Sequence, residues 1–275
     1  MGNAWKLLKT APPTAWFGMI VIVIYLTVAL LAPVIAPFSE TQIVGSEYEP
    51  WSAEFLLGTD NLGRDMFTRL IYGAKNTVGI ALATTILAFL LGGFFGLLAS
   101  TLGGWIDQIL SRIVDVLMAI PQLIFALLIL TIVGTSVTSL ILVIAVLDST
   151  RVFRLARAVS MNIVVMDFVE VARLRGEGLW WLIRKEILPN ALPPLIAEFG
   201  LRFCFVFLFI AALSFLGLGI QPPNADWGSM VKDNATLITF GDITPLLPAC
   251  AIALLTVAVN FVVDWMLHKA SGLKE

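Results

Sequence analysis

Six apolar stretches limit what this chain can fold into more than any other feature. About 20 mainly apolar residues in a helix cross the roughly 30 Å of hydrocarbon in a bilayer. Lipid offers no water to backbone amides and carbonyls, so each stretch is expected to be helical, and Pro121 and Gly92-Gly93 indicate kinks or close helix contacts. The predicted spans, the fourth being the shortest, are residues 16–37, 77–101, 113–133, 137–152, 191–213 and 245–267.

The composition agrees with an all-α membrane protein. Of the 275 residues, 59% are hydrophobic and only 13% are charged, whereas soluble domains carry about 25% charged residues. The net charge of −2 and the lack of a basic run with interleaved aromatic residues indicate no nucleic-acid partner. Cys204 and Cys250 each lie in apolar sequence without metal or redox spacing, so we expect both to be small core residues.

Lysine and arginine residues predict the orientation of the spans. Most of them fall on the side that holds both termini, and cytoplasmic loops carry an excess of these residues, so both termini are predicted to be cytoplasmic. The first apolar run is too long for a signal peptide and is expected to remain as a span. The predicted organisation is a cytoplasmic N-terminal segment at 1–15 and one transmembrane domain at 16–275, with outer loops at 38–76 and 214–244 and a cytoplasmic elbow at 165–190.

The elbow contains the most charge-dense sequence of the chain, EVARLRGEGLWWLIRKEILPN at 170–190. Glu170 and Arg173 at i,i+3 predict a short amphipathic helix, which Gly176 should end. A second short helix is predicted at 179–187, ending at Leu188-Pro189. Two interpretations remain open: a helix lying among lipid headgroups, or a segment that docks into a groove of a cytoplasmic partner.

The order Glu170-Val171-Ala172, Gly176, Ile187-Leu188-Pro189 resembles the EAA motif of ABC importer permeases, although Val171 stands where alanine is usual. In that family the elbow docks onto an ATPase subunit. The residues that the resemblance assigns to ATPase coupling are Glu170, Val171, Ala172, Arg173, Gly176, Leu179, Leu188 and Pro189.

Two further stretches narrow the resemblance. LGTDNLGRD at 57–65, continuing to RLIYGA at 69–74, and LSFLGLG at 213–219, followed by PP at 222–223 and WG at 227–228, are similar to signatures of the C-type permease subunits of oligopeptide, dipeptide, nickel and opine importers. The resemblance implies a type I ABC importer permease fold with six helices. It also implies a B-type homologous permease, two ATP-binding cassette ATPases and a periplasmic or lipid-anchored substrate-binding protein as partners.

Residues of the first signature also have a physical interpretation. Two carboxylates and a guanidinium can pair while glycines supply unusual backbone angles. A structural knot that closes the outer loop is favoured over direct contact with a substrate. The residues concerned are Gly58, Thr59, Asp60, Gly63, Arg64 and Asp65.

Glu198 and Arg202 lie at i,i+4 inside the fifth span, where charge is costly and usually faces a partner or a cavity. A structural ion pair close to the cytoplasmic end is favoured over a role in a transport pathway. Asp115 is expected to pair with Arg112, and Asp148 is a further polar mark at the end of the fourth span.

The leading functional hypothesis is half of a heterodimeric pore in a bacterial or archaeal cytoplasmic membrane. No GxxxxGK[ST] sequence occurs, so the chain is expected to be no enzyme and to bind no cofactor, with ATP and Mg²⁺ held by partner subunits. Short peptides are the expected solute; nickel chelates, opines and glutathione are alternatives. Two other classes are a self-sufficient secondary transporter or channel and a membrane enzyme built on Asp148 and Asp242.

Overall fold

The computed structural model describes residues 11–270, apart from the side chain of Ala270. The first ten residues of the predicted segment 1–15 therefore lie outside the described part. Between residues 11 and 270 the chain is helical apart from its connecting loops and two isolated β-bridges. The helices are α1 Pro13–Ile35, α2 Met66–Gly73, α3 Gly79–Leu102, α4 Gly104–Ala119, α5 Gln122–Val133, α6 Val137–Val164, α7 Asp167–Leu174, α8 Leu179–Trp181, α9 Leu188–Phe215, α10 Trp227–Asn234 and α11 Leu246–Ala270.

Two π-helical turns join helices into longer continuous ones. Ala74–Val78 connects α2 to α3, and Leu182–Ile187 connects α8 to α9, whereas a 3₁₀ turn at Ala235–Phe240 follows α10. The prediction that a short elbow helix ends at Leu188-Pro189 was wrong, because one helix runs from Leu179 to Phe215. In its π-helical turn the Leu188 amide bonds to the Ile183 carbonyl, five residues back. This wider turn admits Pro189, which in a regular helix would clash with a preceding carbonyl.

Four helical runs among the described residues are long and apolar enough to cross a membrane, and a bent pair gives a fifth. The bent pair is α4 and α5, which meet at 88° beside Pro121, where a kink was predicted. Helix α6 is not in this set, since Asp148, Arg151 and Arg154 interrupt its apolar half. The four runs are Pro13–Ile35, Met66–Leu102, Leu179–Phe215 and Leu246–Lys269.

Small residues bring the central helices together. A Cβ at Gly92 would collide with the Ser149 carbonyl, and one at Gly96 would lie 2.8 Å from the Phe153 carbonyl, so α3 and α6 pack backbone against backbone. This confirms the predicted close contact at Gly92, whereas Gly93 faces open space. The core then forms chiefly between α5, α6, α9 and α11.

Candidate functional site

The elbow begins with helix α7, which buries one face against the membrane helices. Val169 and Ala172 are fully buried, and they pack with Ile187 and Ala191 in one apolar cluster. The Arg173 Nη2 atom donates to the Thr101 carbonyl at 3.4 Å, which ties α7 to the end of α3. The elbow is therefore packed directly onto the two longest helical runs.

The opposite face of the elbow exposes large apolar side chains at three-residue spacing. We call this set the apolar stripe. In a soluble environment such a stripe is typical of a surface that another protein covers. Its members and their exposed fractions are Val165, 78%, Phe168, 39%, Val171, 53%, and Leu174, 81%.

Gly176 ends α7 in a Schellman motif. The Glu177 amide donates to the Ala172 carbonyl at 3.2 Å, and the Gly176 amide donates to the Arg173 carbonyl at 2.9 Å. The motif requires a left-handed residue, and Gly176 has φ of +82°. A Cβ there would meet nothing within 4 Å, so the backbone angle alone selects glycine.

Three of the predicted coupling residues pack against the membrane helices, and the other five are exposed. Ala172 is buried, and Leu179 and Leu188 are half-buried, so these three hold the elbow to the helices. The remaining predicted residues are exposed: Glu170, Val171, Arg173, Gly176 and Pro189.

The residues of the first signature form the centre of what we call the loop cap, residues 39–73 together with 216–234. Asp60, only 2% exposed, accepts from the Leu62 and Arg64 amides at 2.9 and 3.0 Å. Its second oxygen lies 2.7 Å from Arg64 Nη2 and 3.2 Å from Arg69 Nε. One buried carboxylate thus pairs with two buried guanidinium groups, and Asp233 and Glu40 also attract Arg69.

The neighbouring signature residues complete this closed arrangement. Asp65 caps α2 by accepting from the Thr68 amide at 2.7 Å, and Thr59 Oγ1 donates to the Ser46 carbonyl at 2.7 Å. Gly58 and Gly63 have φ of +71° and +72°, and a Cβ at either would collide with a carbonyl oxygen. The geometry is that of a structural knot, with its charges turned inward.

The two signatures meet at Trp227, a contact that the sequence did not predict. Its Nε1 donates to the Leu70 carbonyl at 2.9 Å, and its ring fills the space beside Gly73, where a Cβ would lie 2.5 Å away. Asp226 next to it accepts from Thr77 Oγ1 at 3.0 Å and from the Ser229 amide at 2.8 Å. Burial raises the pKa of Asp226, and these hydrogen bonds oppose the rise.

Glu198 and Arg202 form the predicted ion pair, with Glu198 Oε1 2.7 Å from Arg202 Nε. A third member was missed: Asp148 of α6 is fully buried, and its Oδ1 lies 3.7 Å from Arg202 Nη1. We call these three residues the central charge cluster. The signal in the sequence was an aspartate inside an apolar stretch, but its partner on α9 could be identified only from the fold.

Two more charges of α6 pair with α4. Asp115 was expected to pair with Arg112. It lies 4.0 Å from Arg112 Nη1, at the limit of an ion pair, and 2.8 Å from Arg154 Nη2, which is its closer partner. Asp107 pairs with Arg157 through both of its oxygens. Arg154 and Arg157 of α6 therefore both pair with aspartates of α4.

Comparison with known proteins gives the family. Residues 92–269 match the model described as binding-protein-dependent transport system inner membrane component, and residues 2–50 match the N-terminal TM domain of oligopeptide transport permease C. A dipeptide transport system permease protein of Alkalihalophilus pseudofirmus is 34% identical over 95% of this chain and 86% of its own length. A probable D,D-dipeptide transport system permease protein of Escherichia coli is 32% identical over 94% of this chain and 87% of its own.

Among solved structures, the inward-facing MetNI methionine ABC transporter has a chain that is 21% identical, with a TM-score of 0.57, covering 73% of this chain and 97% of that one. This likeness supports the fold. Together with the family model, which matches more than half of the sequence, it leads to one conclusion: the chain belongs to the binding-protein-dependent transport system inner membrane components, the permeases of ABC importers.

Proposed function

We propose that the chain is the C-type half of a heterodimeric permease that carries short peptides into the cell. The observation that carries the proposal is the apolar stripe of α7, which the chain leaves uncovered while fixing α7 rigidly to two membrane helices. A lipid-surface helix needs only its apolar face in the headgroup zone. Here one apolar face of α7 already packs on the core, so the second favours a protein partner.

In the proposed topology α6 supplies the remaining span, the fourth in chain order. Its Asp148 pairs with Arg202, and its Arg154 and Arg157 pair with carboxylates of α4, so of its four charges only Arg151 forms no ion pair among the described residues. Ionisable residues inside a membrane are tolerated when they face a partner or a cavity. With α4 and α5 counted as one bent span, six crossings bring both termini to the cytoplasmic side, in agreement with the lysine and arginine bias.

The elbow would be the coupling device. A Walker-type ATP site is not present in the sequence, so ATP and Mg²⁺ would be bound by two partner ATPases that grip the stripe. Movement of these ATPases would tilt α7, and the tilt would pass through Ala172 and Ile187 into α9. Rocking of the helix bundles would then alternate access to the pathway between this subunit and its B-type partner.

Peptide as the solute rests on the relatives, several of which are named dipeptide or peptide transport permeases. A glutathione transport system permease of Pectobacterium atrosepticum, 31% identical over 78% of this chain, is a similar protein with another named solute. Nickel chelates and opines are further alternatives. A substrate-binding protein outside the cytoplasmic membrane would select the solute.

The stripe can be tested by charge substitution. Leu174→Asp should abolish co-purification with the ATPase subunits and lower ATP-dependent dipeptide uptake more than tenfold, because it places a charge at the most exposed member of the stripe. Leu62→Asp is the matched control, since Leu62 is a 50% exposed leucine of the loop cap. Normal ATPase binding by Leu174→Asp, with membrane insertion intact in both variants, would refute the docking role.

A further inference from the structure

The break between α4 and α5 leaves a half-open cavity of about 180 Å³ against α6. The walls come from both sides of the break and from one turn of α6. Irregular backbone at membrane depth is tolerated where it lines a protein cavity, and broken helices often mark binding sites. The polar residues among its lining are Gln122, Thr150 and Arg151.

Arg151 has no carboxylate partner within residues 11–270. It lies 14 positions after Val137 and 13 before Val164, near the middle of α6. Its guanidinium lies over the Phe205 ring, 4.5 Å from the centroid. A guanidinium at the end of a span that forms no ion pair favours an anion or a water-filled space beside it.

The central charge cluster balances Arg151 less closely than Arg202. Asp148 and Glu198 both lie at ion-pair distance from Arg202, whereas Arg151 attracts Asp148 from beyond that distance. Arg202 also stands over Phe205, at 5.4 Å, so the two guanidinium groups share one aromatic ring. The four charged groups sum to zero, and Arg151 is the cation that lies further from a carboxylate.

A second polar group of the cavity is also unsatisfied. The Gln122 side-chain nitrogen Nε2 is buried and has no hydrogen-bond partner in the described chain. Gln122 is the first residue of α5, and the first amides of a helix are unpaired and carry partial positive charge. The cavity thus brings together a cation, a buried amide donor and a helix N-terminus, all of which favour a carboxylate.

We propose that Arg151, Gln122 and the N-terminus of α5 form a carboxylate-binding site in the translocation pathway, which holds the C-terminal carboxylate of a passing peptide. This inference depends on the proposed permease function. Asp148 and Glu198 keep Arg202 from competing for the same carboxylate. The site is transient: the cavity holds one end of a small peptide, and the solute leaves when the bundles rock.

The test labels the cavity directly. In the assembled importer in lipid nanodiscs, Met118→Cys is introduced after Cys204→Ala and Cys250→Ala, and its thiol is reacted with 2-aminoethyl methanethiosulfonate; Met118 lines the cavity and is not one of the proposed donors. Ala-Ala should slow the labelling at least threefold during ATP turnover, whereas Ala-Ala amide, which has no carboxylate, should not. Adding Arg151→Gln should remove the protection. Arg154→Gln, the same change one turn away on a residue paired with Asp115, should keep it.

Uptake gives a second readout. Loss of a charge-assisted hydrogen bond lowers affinity by roughly tenfold or more, so Arg151→Gln should lower dipeptide uptake by about that factor and Arg154→Gln much less. Equal protection by Ala-Ala and its amide, or no labelling in any nucleotide state, would overturn the site. ATPase co-purification is measured in parallel. If the chain binds the ATPases but shows no carboxylate-dependent protection, only the proposed site is rejected. If the unmodified chain binds no ATPase, the proposed permease function is rejected as well.

Discussion

The loop cap and the elbow both carry family motifs, yet the charged motif residues of the cap are buried whereas most of those of the elbow are exposed. The cap buries the charges of its first signature, where Asp60 pairs with Arg64 and Arg69. The elbow turns apolar side chains outward, with Leu174 81% exposed. Helix α3 separates them by 24 residues, or about 36 Å at 1.5 Å per residue.

The comparison separates motifs that stabilise the chain from motifs that contact a partner. A motif whose charged groups pair within the chain stabilises the chain, and its substitution should cost folding free energy. A motif that leaves apolar surface uncovered serves a partner, and its substitution should cost activity. Changes in the cap should therefore lower stability and uptake together, whereas changes in the elbow should lower uptake alone.

The largest effect is expected from Asp60→Ala. Removing this carboxylate leaves two buried guanidinium groups without the partner that pairs with both, which costs about 3–5 kcal/mol in folding free energy. We expect strongly reduced yield and a much lower midpoint of thermal unfolding in detergent. Glu54→Ala, which removes an exposed carboxylate from the same loop, is the control and should change little. If the Asp60→Ala protein were stable and failed only in transport, the cap would have to contact the solute, and the contrast with the elbow would be wrong.

Gly73→Ala should have the next largest effect. Its Cβ would lie 2.5 Å from the Trp227 ring, so the joint between the two signatures must shift, at a cost of about 1–3 kcal/mol. Gly79→Ala is matched to it in the same helical run, has nothing within 4 Å of its Cβ, and should be neutral or stabilising. The two unfolding midpoints, measured side by side, should move in opposite directions; a harmless Gly73→Ala would mean that the two halves of the cap are not rigidly joined.

The sequence predicts the parts of this molecule that depend on local chemistry. The kink at Pro121 and the glycine that ends α7 follow from ring geometry and backbone freedom, which act within one or two turns. The contact between Trp227 and Gly73 and the pairing of Asp148 with Arg202 could not be predicted, because they depend on how distant helices are rotated. The sequence also did not predict that the helix continues through Pro189, because hydrophobic periodicity does not reveal a π-helical turn.

The smallest effect on stability, and the sharpest on coupling, is expected from Gly176→Ala. An L residue in the left-handed conformation costs about 1–2 kcal/mol, and here the strain falls on one exposed turn, so α7 should tilt or fray while the spans remain packed. The expected result is less dipeptide imported per ATP hydrolysed at a nearly unchanged unfolding midpoint. Gly178→Ala is the control, because Gly178 has an ordinary φ of −77°.

Gly176→Asn sharpens the same comparison. Asparagine tolerates the left-handed region better than alanine does, so it should restore much of the coupling that Gly176→Ala loses. Recovery would tie the defect to the backbone angle of the Schellman motif, since the open space at Gly176 admits either side chain. If both variants import at the normal ratio, the orientation of α7 does not transmit the ATPase stroke, and the elbow would have to act through the stripe alone.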